Sequence, residues 1–200
     1  MSDCAGLLLA AGEGRRLGRP KALLDADGEL FVERGVRVLR GGGCEPVVVV
    51  LGAAAADIVA RAHLDDVIVV VNEGWPEGIG SSLRAGLASL HELGAGRAVV
   101  ALADQPGVTA DVVRRIVGSP SPAAAVVASY AGRPGNPARL DHEIWDEVSA
   151  LAVGDVGARA WMRAHPERVD HIACDDLGND DDIDTADDLA RLGQRMERKR

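Results

Sequence analysis

Six short runs read as strands, Ala5–Ala10, Pro46–Leu51, Val67–Val71, Ala98–Ala103, Ala124–Tyr130 and Val169–Ala173, and several of them are apolar at every position. A strand with one wet face alternates apolar and polar residues, so runs that are apolar throughout need cover on both faces. The cover is present between them. Phe31–Leu39, Ala55–His63, Ser82–Leu93, Ala110–Val117, Ala158–His165 and Ala186–Met196 are amphipathic and read as helices. Strand, crossover helix, parallel strand is the resulting pattern, and it predicts an α/β fold: a three-layer α/β/α sandwich around a central, mostly parallel sheet. Thr109 and Thr185 stand where N-caps belong, each followed by acids in the first turn. Gly41–Gly43 and Ser119–Pro122 punctuate the pattern as turns, and no repeat of 20 to 50 residues is visible. At 200 residues the expectation is one domain spanning 1–200.

Charge narrows the function. Lys and Arg number 22 against 31 Asp and Glu, and eight of those acids lie between Asp175 and Asp188, so the remainder is close to neutral. A nucleic-acid or anionic-membrane surface needs clustered positive charge, and a hydrophobic content of 47% is too high for an acidic disordered chain. The mostly basic Arg195–Arg200 segment reads as the cationic end of a last helix. The five aromatic residues, Phe31, Trp75, Tyr130, Trp145 and Trp161, are too few for a nucleic-acid stacking platform. Cys4, Cys44 and Cys174 lack the spacing of a zinc cage or disulfide framework, and His63, His91, His142, His165 and His171 lack a paired metal spacing. The longest apolar run, Val47–Ala56, has about half the length that crosses a bilayer. Asp3 occupies the position where a signal peptide carries positive charge. A cytoplasmic protein with neither nucleic-acid nor membrane partners is the expectation.

Chemistry concentrates after the first strand. Leu9-Ala10-Ala11-Gly12-Glu13-Gly14-Arg15-Arg16-Leu17-Gly18-Arg19-Pro20-Lys21 combines glycines, which let backbone amides approach an anion, with four cations suited to phosphate oxygens. It is neither a dinucleotide fingerprint, because Gly18 comes one residue late, nor a Walker A loop, because Lys21 lacks the preceding Gly and following Ser or Thr. In Asn72–Leu83, Gly78 and Gly80 permit a tight turn, and Ser81 or Ser82 can cap the next helix. Asp104 ends an apolar strand, at the edge where open α/β sheets put their ligands, and a carboxylate there calls for a cation. Further on, Asp182 and Asp184 fall on one side of an extended segment by alternation. Asp184 is the favoured ligand because it directly precedes the helix start.

These segments together resemble the MobA-like family of nucleotidyltransferases, in particular its molybdenum-cofactor cytidylyltransferases. The likeness runs in order through L-A-A-G-E-G-R-R-L-G-R-P-K, N-E-G-W-P-E-G-I-G-S-S-L, D-Q-P at Asp104–Pro106 and D-I-D-T-A-D-D-L at Asp182–Leu189. Two looser matches follow the same pattern, Gly132–Pro137, where Asn136 replaces a family histidine, and G-D-V-G-A-R at Gly154–Arg159. The resemblance implies a nucleotide-diphospho-sugar-transferase-like, Rossmann-related fold whose N-terminal half binds a nucleoside triphosphate and whose C-terminal half binds a phosphorylated small-molecule acceptor. It implies that Leu9, Ala10, Ala11, Gly12, Gly14, Gly78, Ser81 and Ser82 seat the nucleotide, and that Arg16 and Lys21 neutralise the reacting phosphates. Asp104 and Asp184 would bind Mg2+, while Asn136, Asp155 and Arg159 would face the acceptor. Ala11 resembles cytidylyl members, since guanylyl members commonly show L-A-G-G, so CTP is the implied donor. Molybdopterin is the implied acceptor, with a molybdoenzyme receiving the product. Three other readings remain open: a guanylyl or sugar-phosphate transferase, an oxidoreductase on the same scaffold, as the broader family contains, and a non-catalytic nucleotide-binding partner of a molybdoenzyme.

Overall fold

The six runs pair into one sheet, four of them inside it and two, Val67–Val71 and Val169–Ala173, at its edges. A computed structural model describes residues 4–197; Asp3 and the side chains of the basic Arg195–Arg200 segment lie outside the described residues. Strand β1 (Cys4–Ala10) is flanked in parallel by β4 (Val47–Leu51), with Gly6 opposite Val47, and by β6 (Arg97–Leu102), with Cys4 opposite Arg97. β5 (Ile68–Val71) extends the sheet beyond β4. On the other side β8 (Arg133–Asp141) runs antiparallel to β6 and to β7 (Ala125–Tyr130), and β9 (Val169–Ala173) lies parallel to β7. The order is β5-β4-β1-β6-β8-β7-β9, so the sheet is mostly parallel.

Alternation within β1 divides the core in two. Leu8 and Ala10 pack on one face with α1 (Phe31–Gly41), α2 (Ala55–Arg61) and α4 (Ala110–Val117), through Val36, Ile58 and Val112 among others. Leu7 and Leu9 pack on the other with α3 (Ile79–Glu92), α5 (Trp145–Leu151) and α6 (Arg159–Ala164), through Leu87, Val148 and Trp161. Helices on both faces are what the continuous apolar runs require, and the architecture is the α/β/α sandwich. A small third cluster joins Leu24, Ala26 and Phe31 to Ile183 and Leu192, tying the C-terminal helix α7 (Ala186–Glu197) to the chain just after the glycine loop. None of the described helices is long and apolar enough to cross a membrane.

Four elements depart from the sequence reading. The stretch read as a Gly132–Pro137 turn is the start of β8; Gly135, Asn136 and Pro137 bulge opposite Ala128, between the pairs Val127↔Ala138 and Ser129↔Pro134. Proline lacks the N–H that a ladder needs, and the bulge frees it from pairing. The two-residue strands β2 (Asp25–Ala26) and β3 (Glu29–Leu30) form a hairpin through Asp27-Gly28, both with positive φ, which is the turn chemistry of an Asp-Gly pair. Helix α5, of seven residues, is too short to show a period. Both predicted N-caps stand: Val112 N donates to Thr109 Oγ1 at 3.3 Å, and Thr185 exchanges bonds with Asp188 in a reciprocal cap.

Candidate active site

β1 and β6 end side by side, and their carboxyl ends deliver the glycine loop and Asp104 to one place. After Ala11 the loop makes a single 3-10 turn, Arg15–Leu17, bounded by Gly14 at φ 68° and Gly18 at φ 66°. Gly14 also has no room for a side chain, because a Cβ there would overlap the Arg19 carbonyl oxygen. This tight path carries Lys21, first residue of a second 3-10 turn, back under the strand ends.

Lys21 is the centre of the site. Its Nζ donates to Asp104 Oδ2 at 2.7 Å and to Asp184 Oδ1 at 2.5 Å, so three segments far apart in sequence meet on one ammonium. Arg16 reaches the other Asp184 oxygen at 3.4 Å, and Arg15 pairs with Glu13 at 2.8 Å. Burial alone would lower the pKa of Lys21, but the charge and hydrogen bonds of Asp104 and Asp184 outweigh it and the pKa is raised. The ammonium therefore stays charged between the two acids.

The C-terminal segment is held onto Asp104 by its own contacts. Ile183 N donates to the Asp104 carbonyl at 3.0 Å, and its side chain is buried in the third cluster beside Leu24 and Phe31. Asp182, one step earlier, accepts from Gln105 Nε2 at 2.9 Å and does not pair with Lys21. Burial, and less strongly the nearby Asp104 and Asp184, raise the Asp182 pKa, while the Gln105 bond lowers it in part. Asp182 and Asp184 thus take different partners.

Opposite the loop stands the segment from Asn72. Gly78, at φ 111°, is the N-cap of α3, and a Cβ on it would lie 2.5 Å from Asp155 Oδ1 and from the Gly154 carbonyl carbon. Close approach there brings Asp155 into the site, and Gly80 N donates to Gly154 O at 2.8 Å. Ser81 and Ser82 are not caps, contrary to the sequence reading. They lie inside the first turn of α3, buried, and both hydroxyls accept from Asn72 Nδ2, at 2.9 and 3.1 Å. Gly78 supplies the helix start because only glycine fits both its φ and its neighbours.

Between the two segments lies a cleft of about 390 Å3. Leu9, Ala10, Ala11, Gly12, Gly14, Lys21, Gly78, Ser82, Asp104 and Asp155 of the sequence-predicted residues line it. Asp184 adjoins it through its contact with Lys21, and Arg16 through its contact with Asp184. Ser81 stands behind Ser82 in the Asn72 network. Asn136 sits in the β8 bulge, where its carbonyl accepts from Tyr130 Oη at 2.9 Å, and Arg159 is exposed at the start of α6; neither lines the cleft. Trp75, Pro76 and Ile79 also line it, and the sequence reading did not single them out. Their signal was position alone, just ahead of the Gly78 turn.

Two carboxylate oxygens lying 2.5 and 2.7 Å from one point make a position suited to a cation. No group of three or more His, Cys, Asp or Glu among the described residues could hold a metal by itself. A pair of carboxylates nevertheless matches Mg2+, which commonly takes one or two from the protein and completes its octahedron with phosphate oxygens and water. Cations on a glycine loop, paired acids and a cleft at the carboxyl ends of parallel strands define a site for phosphorylated ligands. The chain belongs to the MobA-like NTP transferase family, whose domain model matches residues 6–169. It is 41% identical over 195 residues, 94% of this chain and 95% of the relative, to nicotine blue oxidoreductase of Paenarthrobacter nicotinovorans. It is 40% identical over 109 residues, about half of each chain (54% and 52%), to a probable molybdenum cofactor guanylyltransferase of Opitutus terrae. Among solved structures it resembles Rv0371c of Mycobacterium tuberculosis in complex with manganese, with a TM-score of 0.77, 30% identity and coverage of 96% of this chain and 98% of that one.

Proposed function

We propose that this protein transfers a nucleotidyl group from a nucleoside triphosphate to a phosphorylated small-molecule acceptor and releases pyrophosphate. The observation that carries the reading is the convergence of Lys21, Asp104 and Asp184 below the glycine loop, supported by membership of the NTP transferase family. Amides of Ala11–Gly14 and the cations of Arg16 and Lys21 offer a cradle for the triphosphate. Asp104 and Asp184 would hold Mg2+, which when bound neutralises charge on phosphate oxygens. Support for a divalent cation comes from the manganese in the related Rv0371c structure. An oxygen of the acceptor phosphate attacks the α-phosphorus in line, the bond to the bridging oxygen breaks, and pyrophosphate leaves. The acceptor is already an anionic nucleophile, so the enzyme's task is orientation and charge stabilisation.

CTP is the donor favoured by Ala11, and molybdopterin is the acceptor favoured by the resemblance and by relatives named for the molybdenum cofactor. The test measures pyrophosphate released from CTP and from GTP with Mg2+ and molybdopterin. Release with CTP above GTP is the expected result; a GTP preference reassigns the base, and no release with either overturns the reading. A second reading is carried by the near full-length likeness to nicotine blue oxidoreductase: a redox enzyme acting on a dye-like heteroaromatic substrate. Oxidation of NADH or NADPH, followed by absorbance with such a dye, together with absence of pyrophosphate release, would establish it instead.

A further inference from the structure

Five aromatic residues serve this chain, and four are spent on the core. Phe31, Tyr130, Trp145 and Trp161 are all buried. Each polar handle among them is satisfied: Tyr130 Oη donates to Asn136 O at 2.9 Å, Trp145 Nε1 to Leu140 O at 3.1 Å and Trp161 Nε1 to Glu147 Oε2 at 2.7 Å. Trp75 differs on every count. It is half-buried, it is the one aromatic residue lining the cleft, and its indole N–H has no partner among the described residues. A tryptophan that packs for stability hides its ring and pairs its N–H, as Trp145 and Trp161 do.

The backbone is shaped to hold this ring in place. Gly52, after β4, has no room for a side chain: a Cβ there would lie 2.5 Å from Trp75 Cβ, 2.7 Å from its Cγ and 2.9 Å from Ala11 Cβ. Trp75 is therefore seated against the sheet beside Ala11, at the entry to the glycine loop, while Lys21 and Asp104 supply charge elsewhere in the same cleft. Pro76 and Ile79 add apolar wall, and the cleft volume of about 390 Å3 is that of a small-molecule site. A fixed π face, an open N–H donor and apolar neighbours suit a flat heteroaromatic ring carrying acceptor atoms.

We infer that Trp75 is a specificity-determining residue that stacks on the heteroaromatic ring of a cleft ligand, with its N–H free to meet an acceptor on that ring. The inference rests on the nucleotidyl-transfer reading for the identity of the ligands, which carry two such rings, the donor base and the acceptor's pterin. Isothermal titration separates them with three probes, tripolyphosphate, CTP and a free pterin, each with Mg2+, on wild type, Trp75→Leu and Trp75→Phe. Tripolyphosphate carries the charge without a ring and reports on the loop alone. Stacking of a base on an aromatic side chain predicts about tenfold weaker binding of the stacked ring in Trp75→Leu. Trp75→Phe should recover most of it, and tripolyphosphate should bind all three proteins equally. Loss confined to CTP assigns the donor base to Trp75; loss confined to the pterin assigns the acceptor ring. Equal affinity of both ring compounds for wild type and Trp75→Leu, or binding of neither to wild type, overturns the inference. So does an equal loss of tripolyphosphate, which means the cleft itself has collapsed. If wild type binds the pterin but neither CTP nor tripolyphosphate, the nucleotidyl-transfer reading fails, and the pterin titration still decides for or against stacking.

Discussion

Replacing Lys21 by methionine removes one charge and keeps most of the volume, and it should turn the site from one that holds its own cation into one that demands another. In the wild type the ammonium is 2.7 Å from Asp104 and 2.5 Å from Asp184, with side-chain exposures of 19% for Lys21, 23% for Asp104 and 42% for Asp184. Without it the two carboxylates face each other across the vacated point. Stripping one partner from a fully buried pair costs about 3–5 kcal/mol. Partial hydration, greatest at Asp184, reduces this to about 1–2 kcal/mol, or about 2–8 °C in melting temperature for a chain of this length. A divalent cation must displace the ammonium in the wild type but not in Lys21→Met. If that makes binding tenfold tighter, Mn2+ should stabilise the variant by about 1.4 kcal/mol more than it stabilises the wild type.

Thermal melts of both proteins with and without MnCl2 measure each quantity, and Lys21→Met/Asp184→Ala is the control in which the extra gain should vanish. Equal Mn2+ shifts in wild type and Lys21→Met would refute the claim that ammonium and metal compete for the same carboxylates. The pH dependence has a definite sign. The folded-state pKa of Lys21 is raised, so its contribution is fully present below the unfolded value of about 10.4 and is lost as pH climbs through the folded value. The gap between wild type and variant should stay constant from neutrality to about pH 10 and close above it.

Substitutions at four other positions have determinate outcomes. Asp104→Ala should lower the rate of pyrophosphate release by about 10² or more while leaving the circular dichroism spectrum unchanged. Gly78→Ala puts a Cβ at φ 111° and 2.5 Å from Asp155 Oδ1, so it should cost about 1–3 kcal/mol in melts and abolish the stabilisation by CTP and Mg2+. Arg139 is 2% exposed, donates to the carbonyls of Ser119, Ser121 and Ala123 and pairs with Asp141 at 3.2 Å. Arg139→Leu should therefore cost about 3–5 kcal/mol without weakening CTP binding to the folded fraction, as titration below the melting point would measure. Asp182→Asn keeps an acceptor for Gln105 and should retain Mn2+ affinity, whereas Asp182→Ala should weaken it several-fold; equal losses would mean that the charge of Asp182, not its hydrogen bond, matters.

What could be read from the sequence was whatever one segment decides for itself. The parallel strands β1, β4 and β6 were legible because burial on both faces leaves an unbroken apolar run, and the glycine loop because its cations sit within a few residues of a strand end. β8 was hidden because Pro134 and Pro137 argue locally for a turn, and only pairing with β6 and β7 overrides them. Ser81 and Ser82 looked like caps because the sequence does not show that the φ of Gly78 starts the helix three residues sooner.

The same division runs through the site itself. Lys21 meets partners 83 and 163 residues away, and no local pattern announces such pairings. Alternation put Asp182 and Asp184 on one side of the chain but could not distinguish them. The residue between them does. Ile183, 1% exposed, is buried against Leu24, Phe31 and Leu192, and its N–H is bonded to the Asp104 carbonyl. A slip of two residues, the smallest that would bring Asp182 to the ammonium, would carry Asp181 into the apolar cluster in place of Ile183, at the cost of burying a carboxylate among apolar groups. The third cluster therefore sets the register in which Asp184, and not Asp182, reaches Lys21, while the Thr185–Asp188 cap fixes where the extended segment ends and α7 begins. An apolar residue that touches none of the reacting groups thus determines which acid completes the pair.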